Sequence, residues 1–263
     1  MIYGANLMRL ICKYGKHIVS ARHTKGFGIH SPFLYNFTQH VIYDKNAYYI
    51  FKKIEQRRTF LANNSCYIMV RDFGTGKKVQ RRINDIATKS AIRPQCGQVL
   101  FRLIQHLSLS KILELGTSFG ISTAYIASNS NKNECITLEG CEQSAKIAQE
   151  TFETLHLENV KILTGNINQT LVQAIEKLSS IDFVFIDANH TAVATIQYFE
   201  KLMPALSQNA VVVFDDIYWS KDMEYAWKTI KKHESVTATI DLFWMGIVFF
   251  KPTLQKINYK MHL

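Results

Sequence analysis

Short apolar runs alternate with amphipathic stretches through the second part of the chain. From about Lys111 onward, each apolar run is followed by a polar or glycine-containing turn and then by a stretch with helical periodicity. This alternation is typical of an α/β protein, because parallel strands that are covered on both faces are apolar on both faces. The pattern predicts strands at 111–115, 135–139, 160–164, 181–187 and 210–215, and helices near 121–129, 143–155, 168–178, 191–206 and 221–233.

Two more strands are predicted close together, at 236–242 and 247–251. The residues between them, 243–246, are too few for a crossover helix, so the two strands should form an antiparallel hairpin. The sequence therefore predicts a Rossmann-like α/β fold. Its doubly wound, mostly parallel seven-stranded sheet should carry an antiparallel edge strand.

The first part of the chain does not show this alternation. Residues 1–95 contain aromatic-rich stretches, such as 30–35 and 48–51, without regular strand spacing. We expect these residues to form a basic, mostly helical N-terminal cap that includes the substrate region. Residues 96–263 would then form the domain that carries the ligand site.

Composition narrows the class of protein. The chain has 263 residues, of which 47% are hydrophobic and 20% charged, as in ordinary globular proteins. It has no apolar run near the roughly 18 residues of a transmembrane segment. Its five cysteines contain no CxxC pair, so neither a disulfide framework nor a cysteine zinc site is indicated. The sequence shows no secretory signal pattern, and we expect a cytoplasmic location.

Charge is distributed unevenly between the two parts of the chain. Residues 1–95 hold 17 Lys and Arg against 4 Asp and Glu, a net charge of +13, whereas residues 96–263 have a net charge of −3. A basic segment attracts nucleic acid, an anionic membrane surface or an anionic substrate, and it can equally be a solvated surface. Charge alone does not choose among these partners.

A glycine-containing turn follows the first predicted strand of the sheet. Gly116 and Gly120 lie between this strand and the next helix, where glycine lets the backbone approach a ligand closely. The spacing is G-x-x-x-G rather than the dinucleotide pattern G-x-G-x-x-G. Glu114 lies two residues before the first glycine. Its negative charge would repel a pyrophosphate and would attract a cationic ligand. A tight turn without any ligand is the alternative.

A second acidic residue, Glu139, ends the next predicted strand, 23 residues after Gly116. A carboxylate at this place in nucleotide-binding α/β folds accepts hydrogen bonds from ribose hydroxyls, although a solvated strand-end acid would look the same. Glu114, Gly116, Gly120 and Glu139 together resemble the class I S-adenosylmethionine-dependent methyltransferases. Residues 90–98 look like the stretch that precedes the first strand in catechol and caffeoyl-CoA type O-methyltransferases. The resemblance covers roughly residues 90–251.

The resemblance implies S-adenosyl-L-methionine as the cofactor. It assigns the turn at 116–120 to the methionine and ribose parts, Glu139 to the ribose hydroxyls and Asn166 to the adenine. Family members often have Asp where this chain has Asn166, and the competing interpretation of Asn166 is a helix N-cap. The implied cofactor-binding residues are Ile92, Glu114, Gly116, Thr117, Phe119, Gly120, Ser122, Glu139, Gly140, Asn166 and Asp187.

Three aspartates at the ends of the fourth and fifth strands are candidate metal ligands. In the O-methyltransferases that this sequence resembles, an Asp and an Asp-Asn pair hold a divalent cation such as magnesium. Asp187, Asp215 and Asp216 occupy these places here, with Asp in place of the family's Asn. Carboxylate oxygens suit such a cation. The alternative is that the three carboxylates are separate structural residues, one of them capping a helix.

The candidate catalytic residues are His190 and Asp187. His190 lies three residues after Asp187, where the metal-dependent relatives place the lysine that takes the substrate proton. Histidine can act as a general base near neutral pH, because its unperturbed pKa is about 6.5. A surface histidine at a helix N-terminus is the alternative. Tyr218 and Trp219 are candidates for an aromatic pocket wall, although such residues more often belong to a core.

The resemblance implies a methyltransferase that moves the methyl group of S-adenosylmethionine by in-line transfer to a hydroxyl oxygen of a small molecule, anionic or aromatic in character. A general base, with or without a metal ion, would assist the transfer. One alternative is an RNA or protein methyltransferase that uses the basic N-terminal segment. Another is a non-catalytic protein that binds S-adenosylmethionine. An apolar cap can pack on its own domain or on a second copy, so a homodimer is an open expectation.

Overall fold

The structure, a computed structural model, describes residues 2–71 and 78–263. Its α-helices are α1 (Ile2–Ser20), α2 (Pro32–Phe37), α3 (Tyr49–Ala62), α4 (Ile83–Lys89), α5 (Pro94–Leu107), α6 (Ile121–Ala127), α7 (Glu142–Leu155), α8 (Ile167–Leu178), α9 (Ala192–Leu202) and α10 (Lys221–Lys232). Its strands are β1 (Tyr67–Arg71), β2 (Lys78–Arg82), β3 (Lys111–Leu115), β4 (Glu134–Glu139), β5 (Val160–Thr164), β6 (Ile181–Ile186), β7 (Leu206–Asp215), β8 (Ala238–Asp241), β9 (Met245–Phe249) and β10 (Ile257–Lys260). A π-helical turn, Thr38–Ile42, follows α2.

The main sheet has eight strands in the order β10-β8-β9-β7-β6-β3-β4-β5. The pairs β3–β4, β4–β5 and β8–β10 are parallel, and β9 runs antiparallel to both β7 and β8. The predicted Rossmann-like, mostly parallel sheet with one reversed strand is confirmed. The predicted strands and helices occur where the hydrophobic pattern placed them, with shifts at their ends.

The strand count of seven was wrong by one. Residues 257–260 form β10 beside β8, so the predicted hairpin of β8 and β9 is not the edge of the sheet. This strand has four residues, and only Tyr259 among them is buried. So short a segment with one buried side chain has no readable alternation.

The N-terminal part is mostly helical, as expected, but it also contains a β-hairpin. Strands β1 and β2 pair antiparallel, with Tyr67 opposite Arg82 and Val70 opposite Val79. Tyr67, Met69 and Val79 are exposed. Because neither face is regularly apolar, the period-2 signal that identifies a half-buried strand is missing.

The chain divides into two compact units, one of Met1–Asp44 with Asp182–Leu263 and one of Lys45–Ile181. In the second unit, the core includes Leu113, Leu138 and Phe152, and in the first it includes Phe185 and Trp227. The predicted cap of residues 1–95 and the predicted domain of residues 96–263 stay predictions. None of the helices in the described residues is long and apolar enough to cross a membrane.

Candidate functional site

The predicted glycine turn joins β3 to α6 in the unit Lys45–Ile181. Gly116 and Gly120 have φ angles of 102° and 79°, a region that favours glycine. A Cβ atom on Gly120 would lie 2.6 Å from the Phe152 ring and 3.3 Å from Ala148 Cβ. Glycine is therefore required at position 120 for two reasons, the left-handed backbone conformation and the close packing of α6 on α7.

Glu114 is fully buried at the centre of a hydroxyl network. Its Oε2 accepts hydrogen bonds from the hydroxyls of Thr123 and Thr137, the latter at 2.7 Å. Because Thr137 gives its proton to Glu114, Thr117 must be the donor in the 2.6 Å contact between the Thr117 and Thr137 hydroxyls. The network ties β3, β4 and α6 together beneath the turn. The role of Glu114 as a cofactor contact stays a prediction.

Glu139 is held at the end of β4 by backbone N–H groups. Its Oε2 accepts from Ser118 N at 2.7 Å and its Oε1 accepts from Cys141 N at 2.8 Å. Burial raises the pKa of Glu139, and the N–H groups of Cys141, Ser118 and Gly140 oppose that shift. The structure thus fixes one carboxylate against the glycine turn, where its remaining lone pairs can accept hydrogen bonds from a diol.

Asn166 is the N-cap of α8. Its side-chain oxygen accepts a hydrogen bond from Asn168 N at 2.9 Å, and Gly165 before it has a φ of 147°. Asn166 is exposed. The side chain therefore has the capping role that the sequence left open, and its contact with adenine stays a prediction.

The other predicted cofactor residues differ in exposure. Ile92, Thr117, Phe119 and Ser122 are buried, whereas Gly140 is half-buried. Their backbone or side chains can therefore shape the turn, and their contacts with a cofactor stay predictions. Sequence reasoning missed Thr123 and Thr137. The signal for Thr137 is the parallel register that pairs it with Glu114, which a single sequence does not reveal.

The candidate catalytic pair lies just after β6, in the other unit. His190 Nε2 is 3.4 Å from Asp187 Oδ1, and the two side chains are 35% and 17% exposed. Asn189 and His190 have φ angles of 61° and 40°, so two consecutive non-glycine residues adopt left-handed conformations. Such strain persists only where surrounding contacts hold it, and it is enriched at functional sites.

Two contacts hold this strained loop in place. Asn189 Nδ2 donates to the hydroxyl of Tyr198 at 2.5 Å, and Ala192 N donates to Asp222 Oδ2 at 2.5 Å. Burial raises the pKa of Tyr198, while the hydrogen bond from Asn189 lowers it. Tyr198 and Asp222 are supporting residues that the sequence analysis missed, because they follow the loop by 9 or more positions and are brought to it by the packing of α9 and α10.

Asp215 is the last residue of β7 and Asp216 follows it, and both are partly exposed. Asp216 has a φ of 51°, and its N–H donates to Trp244 O at 2.7 Å. Across the described residues, no three His, Cys, Asp or Glu side chains are grouped so that they could hold a metal ion. As arranged here, Asp187, Asp215 and Asp216 do not fit a three-ligand centre. The divalent cation stays a prediction.

Tyr218 and Trp219 follow the aspartate pair. The Tyr218 hydroxyl donates to Asp241 Oδ2 at 2.6 Å, and its ring stacks on Phe243 with centroids 5.2 Å apart. Burial and then the charge of Asp241 raise the pKa of Tyr218, so the phenol stays protonated. Trp219 is 49% exposed. Tyr218 is thus fixed by its surroundings, while the Trp219 ring is available to a ligand.

Helix α1 holds this aromatic turn. Arg9 Nη2 donates to Tyr218 O and to Trp219 O, both at 2.9 Å, and Arg9 and Lys13 form ion pairs with Glu224. Sequence reasoning treated the cations of α1 only as part of a basic segment. Here they are partners of the turn after β7 and of α10.

Part of the chain matches a methyltransferase family model and a curated relative. Residues 113–217 match the family model described as "Methyltransferase domain". A curated relative, "Catechol O-methyltransferase" from Niastella koreensis, is 32% identical over 130 residues, which cover 48% of this chain and 58% of the relative. The chain thus spans less than two thirds of that relative's length.

Solved structures share the fold. A putative caffeoyl-CoA O-methyltransferase from Staphylococcus aureus has a TM-score of 0.60 at 19% identity, covering 83% of this chain and 97% of that one. An O-methyltransferase from Bacillus cereus in complex with SAH has a TM-score of 0.55 at 22% identity, covering 81% and 96%. The predicted resemblance to class I methyltransferases of the catechol and caffeoyl-CoA O-methyltransferase type is confirmed.

Proposed function

We propose that this protein is an S-adenosylmethionine-dependent O-methyltransferase that acts on a hydroxyl group of a small aromatic molecule. The observation that carries the proposal is the carboxylate of Glu139, fixed by Ser118 N and Cys141 N beside the glycine turn. This turn lies within the residues that match the methyltransferase family model. The named catechol O-methyltransferase relative supports a hydroxyl as the acceptor.

On the cofactor side, Glu139 would accept hydrogen bonds from the two ribose hydroxyls of S-adenosylmethionine. Its pKa is raised by burial, yet three backbone N–H groups favour the ionised form, which is the form that accepts from two donors. The turn at 116–120 would surround the methionine part. When bound, S-adenosylmethionine supplies a methyl group that its sulfonium charge already activates for displacement.

On the acceptor side, His190 would remove the proton from the hydroxyl. If Nε2–H is directed at Asp187 Oδ1, 3.4 Å away, Nδ1 carries the lone pair and takes the proton. Asp187 then stabilises the imidazolium that forms. The acceptor oxygen would lose its proton to Nδ1 and form a bond to the methyl carbon. The bond between that carbon and the sulfonium sulfur would break with its electron pair remaining on sulfur, so neutral S-adenosylhomocysteine leaves. Trp219, half-exposed, would offer an aromatic face to the acceptor ring.

The test is methyl transfer from S-adenosylmethionine with a deuterated methyl group to catechol, with the product measured by mass spectrometry. One arm contains magnesium and another contains EDTA. We expect labelled methoxy product in the wild type and loss of product in His190→Ala. Product in the magnesium arm alone would support the predicted cation. Absence of labelled product from catechol and from a panel of substituted phenols would contradict the proposal.

The cytoplasmic location and the homodimer remain predictions from the sequence. Sedimentation of the purified chain over a range of concentrations tests the homodimer. A single species at the mass of 30.2 kDa would contradict it.

A further inference from the structure

The unit Lys45–Ile181 carries a concentration of positive charge that the proposed methyl transfer does not use. Residues 49–93 contain 11 Lys and Arg against 3 Asp and Glu, a net charge of +8. Glu55 and Asp85 pair with Arg58 at 2.9 Å and Lys89 at 2.7 Å, within the same segment. Two of the three acidic residues therefore already form ion pairs within the segment, which still has many more cationic than acidic side chains.

Exposed aromatic rings occur on the outer face of α3, among these cations. Tyr49 and Phe60 are 76% and 61% exposed, and Lys53 Nζ lies 4.9 Å from the centroid of the Tyr49 ring. Positions 49, 53 and 60 fall on one side of a helix with 3.6 residues per turn. The opposite side packs into the core through Phe51 and Ile54. The outer face thus carries rings and a cation in alternation.

The β1–β2 hairpin carries a third exposed ring beside a cation. Tyr67 is 51% exposed and lies opposite Arg82 in the register of the hairpin. Arg82 Nε donates to the Tyr67 hydroxyl at 2.6 Å, and the guanidinium carbon lies 5.2 Å from the ring centroid. The hydrogen bond from Ile83 N to Cys66 O, 2.9 Å, closes the base of this hairpin four residues after α3 ends.

We propose that these five residues, Tyr49, Lys53, Phe60, Tyr67 and Arg82, form an aromatic-cationic surface that binds single-stranded nucleic acid. Separate exposed rings can stack on unpaired bases, and the cations beside them can contact the phosphates between the bases. The net charge of +8 in the segment complements a polyanion. The three exposed rings lie on two different elements, α3 and the β1–β2 hairpin. A cofactor of nucleotide size or a small acceptor has no use for three separate rings, whereas a chain of several nucleotides can stack a base on each.

The pattern does not fit an anionic membrane equally well. A helix that lies in a membrane interface presents a continuous apolar face. On α3, Lys53 and Gln56 separate Tyr49 from Phe60 on the exposed side. The rings are therefore isolated platforms rather than an apolar strip, which favours bases over lipid chains.

The test uses fluorescence anisotropy of a labelled single-stranded RNA of about 20 nucleotides with the full chain. We expect saturable binding that weakens as KCl rises, with a log–log slope of about −0.7 for each phosphate contacted. Tyr49→Ala with Phe60→Ala, and separately Tyr67→Ala, should each weaken binding about 10-fold or more. Lys53→Glu with Arg82→Glu should weaken binding and reduce the salt slope.

Tyr225→Ala and Lys228→Glu on α10 are the matched controls, because both residues are exposed on the other unit. They should leave RNA binding unchanged. Leucine at positions 49 and 60 keeps apolar bulk while removing the rings, so Tyr49→Leu with Phe60→Leu tests stacking if the alanine variant misfolds by circular dichroism.

Three results would overturn the proposal. The first is an absence of RNA binding at 50 mM KCl. The second is equal binding by the surface variants and the α10 controls. The third is binding to phosphatidylglycerol vesicles without binding to RNA. The proposed surface does not depend on the cofactor. S-adenosylhomocysteine titrated into the same variants should therefore bind as it does to the wild type. A failure of RNA binding can thus be distinguished from a failure of the proposed methyl transfer.

Discussion

At the turn between β3 and α6, the supporting polar side chains are buried and bound to one another, whereas the carboxylates that follow β6 and β7 are partly exposed. The first region has glycine at two of its three left-handed positions, Gly116 and Gly120, and the third, Ser118, is held by its hydrogen bond to Glu139. The second places Asn189, His190 and Asp216 in left-handed conformations without any glycine. The proposed cofactor side is thus built for rigidity, and the proposed acceptor side stores backbone strain that distant contacts must hold.

The difference also lies in where the supporting residues come from. Glu139 and its partner Ser118 are 21 positions apart, within one β-α-β segment. Arg9, which binds the turn at Tyr218, is 209 positions away. A short segment can fix the cofactor side, but the acceptor side needs the N-terminal helix. Changes in α1 should therefore alter the acceptor side alone.

The largest effect should follow from removing the proposed base. His190→Ala should lower the turnover number with catechol about 100-fold or more, since general-base catalysis contributes at least that much. The affinity for S-adenosylhomocysteine should not change. Steady-state kinetics and calorimetry measure the two quantities, with the exposed His30→Ala as the control. A loss of cofactor affinity in His190→Ala would mean that the two sides are not separable.

Gly120→Ala tests the rigid side. Alanine would face the Phe152 ring at 2.6 Å in a left-handed conformation with φ of 79°, so we expect a loss of about 3 kcal/mol in the free energy of unfolding. Gly15→Ala on α1 is the matched control, because a Cβ there meets nothing within 4 Å. Urea denaturation measures both. Equal stability of the two variants would contradict the packing argument.

Tyr198→Phe tests the support of the strained loop. Removing the hydroxyl deletes one hydrogen bond to Asn189, which should lower turnover up to about 10-fold without changing the affinity for S-adenosylhomocysteine. Tyr198 is a positioning residue here, so the double variant Tyr198→Phe with His190→Ala should be no slower than His190→Ala alone. Fully additive losses would show that Tyr198 acts independently of His190.

The smallest expected effect is on the pH dependence of stability, through the buried His17 of α1. His17 is buried, with Nε2 2.7 Å from Met261 O and Nδ1 3.5 Å from Asp241 Oδ1. Burial lowers the pKa of His17; the Met261 carbonyl and Asp241 oppose that shift, and Lys260 and His262 add to the lowering. Because the folded pKa lies below the unfolded value near 6.5, stability should fall as pH drops through this range.

His17→Gln removes this titration while keeping a donor toward Met261 O. The melting temperature should therefore fall less between pH 7.5 and 5.5 in His17→Gln than in the wild type, by a few degrees at most. Differential scanning fluorimetry measures both. A larger fall in the variant than in the wild type would contradict the assigned direction.

Much of the fold and part of the candidate site could be predicted from the sequence, for identifiable reasons. Gly116, Gly120 and Glu139 lie at fixed offsets from apolar strands, so their places at strand ends follow from periodicity. The contact of Glu114 with Thr137 depends on strand register, and the contact of Arg9 with the turn at Tyr218 depends on tertiary packing. Strand β10 and the β1–β2 hairpin lack a regular apolar face, so the hydrophobic pattern did not predict them.

The proposed function depends most on the binding of S-adenosylmethionine by Glu139 and the glycine turn. Calorimetric titration with S-adenosylhomocysteine tests this directly in the wild type, in Glu139→Ala and in the exposed control Glu158→Ala. We predict saturable one-to-one binding by the wild type and the control, and affinity about 100-fold weaker in Glu139→Ala, because two charge-assisted hydrogen bonds are lost. No binding by the wild type, or equal binding by Glu139→Ala, would contradict the account.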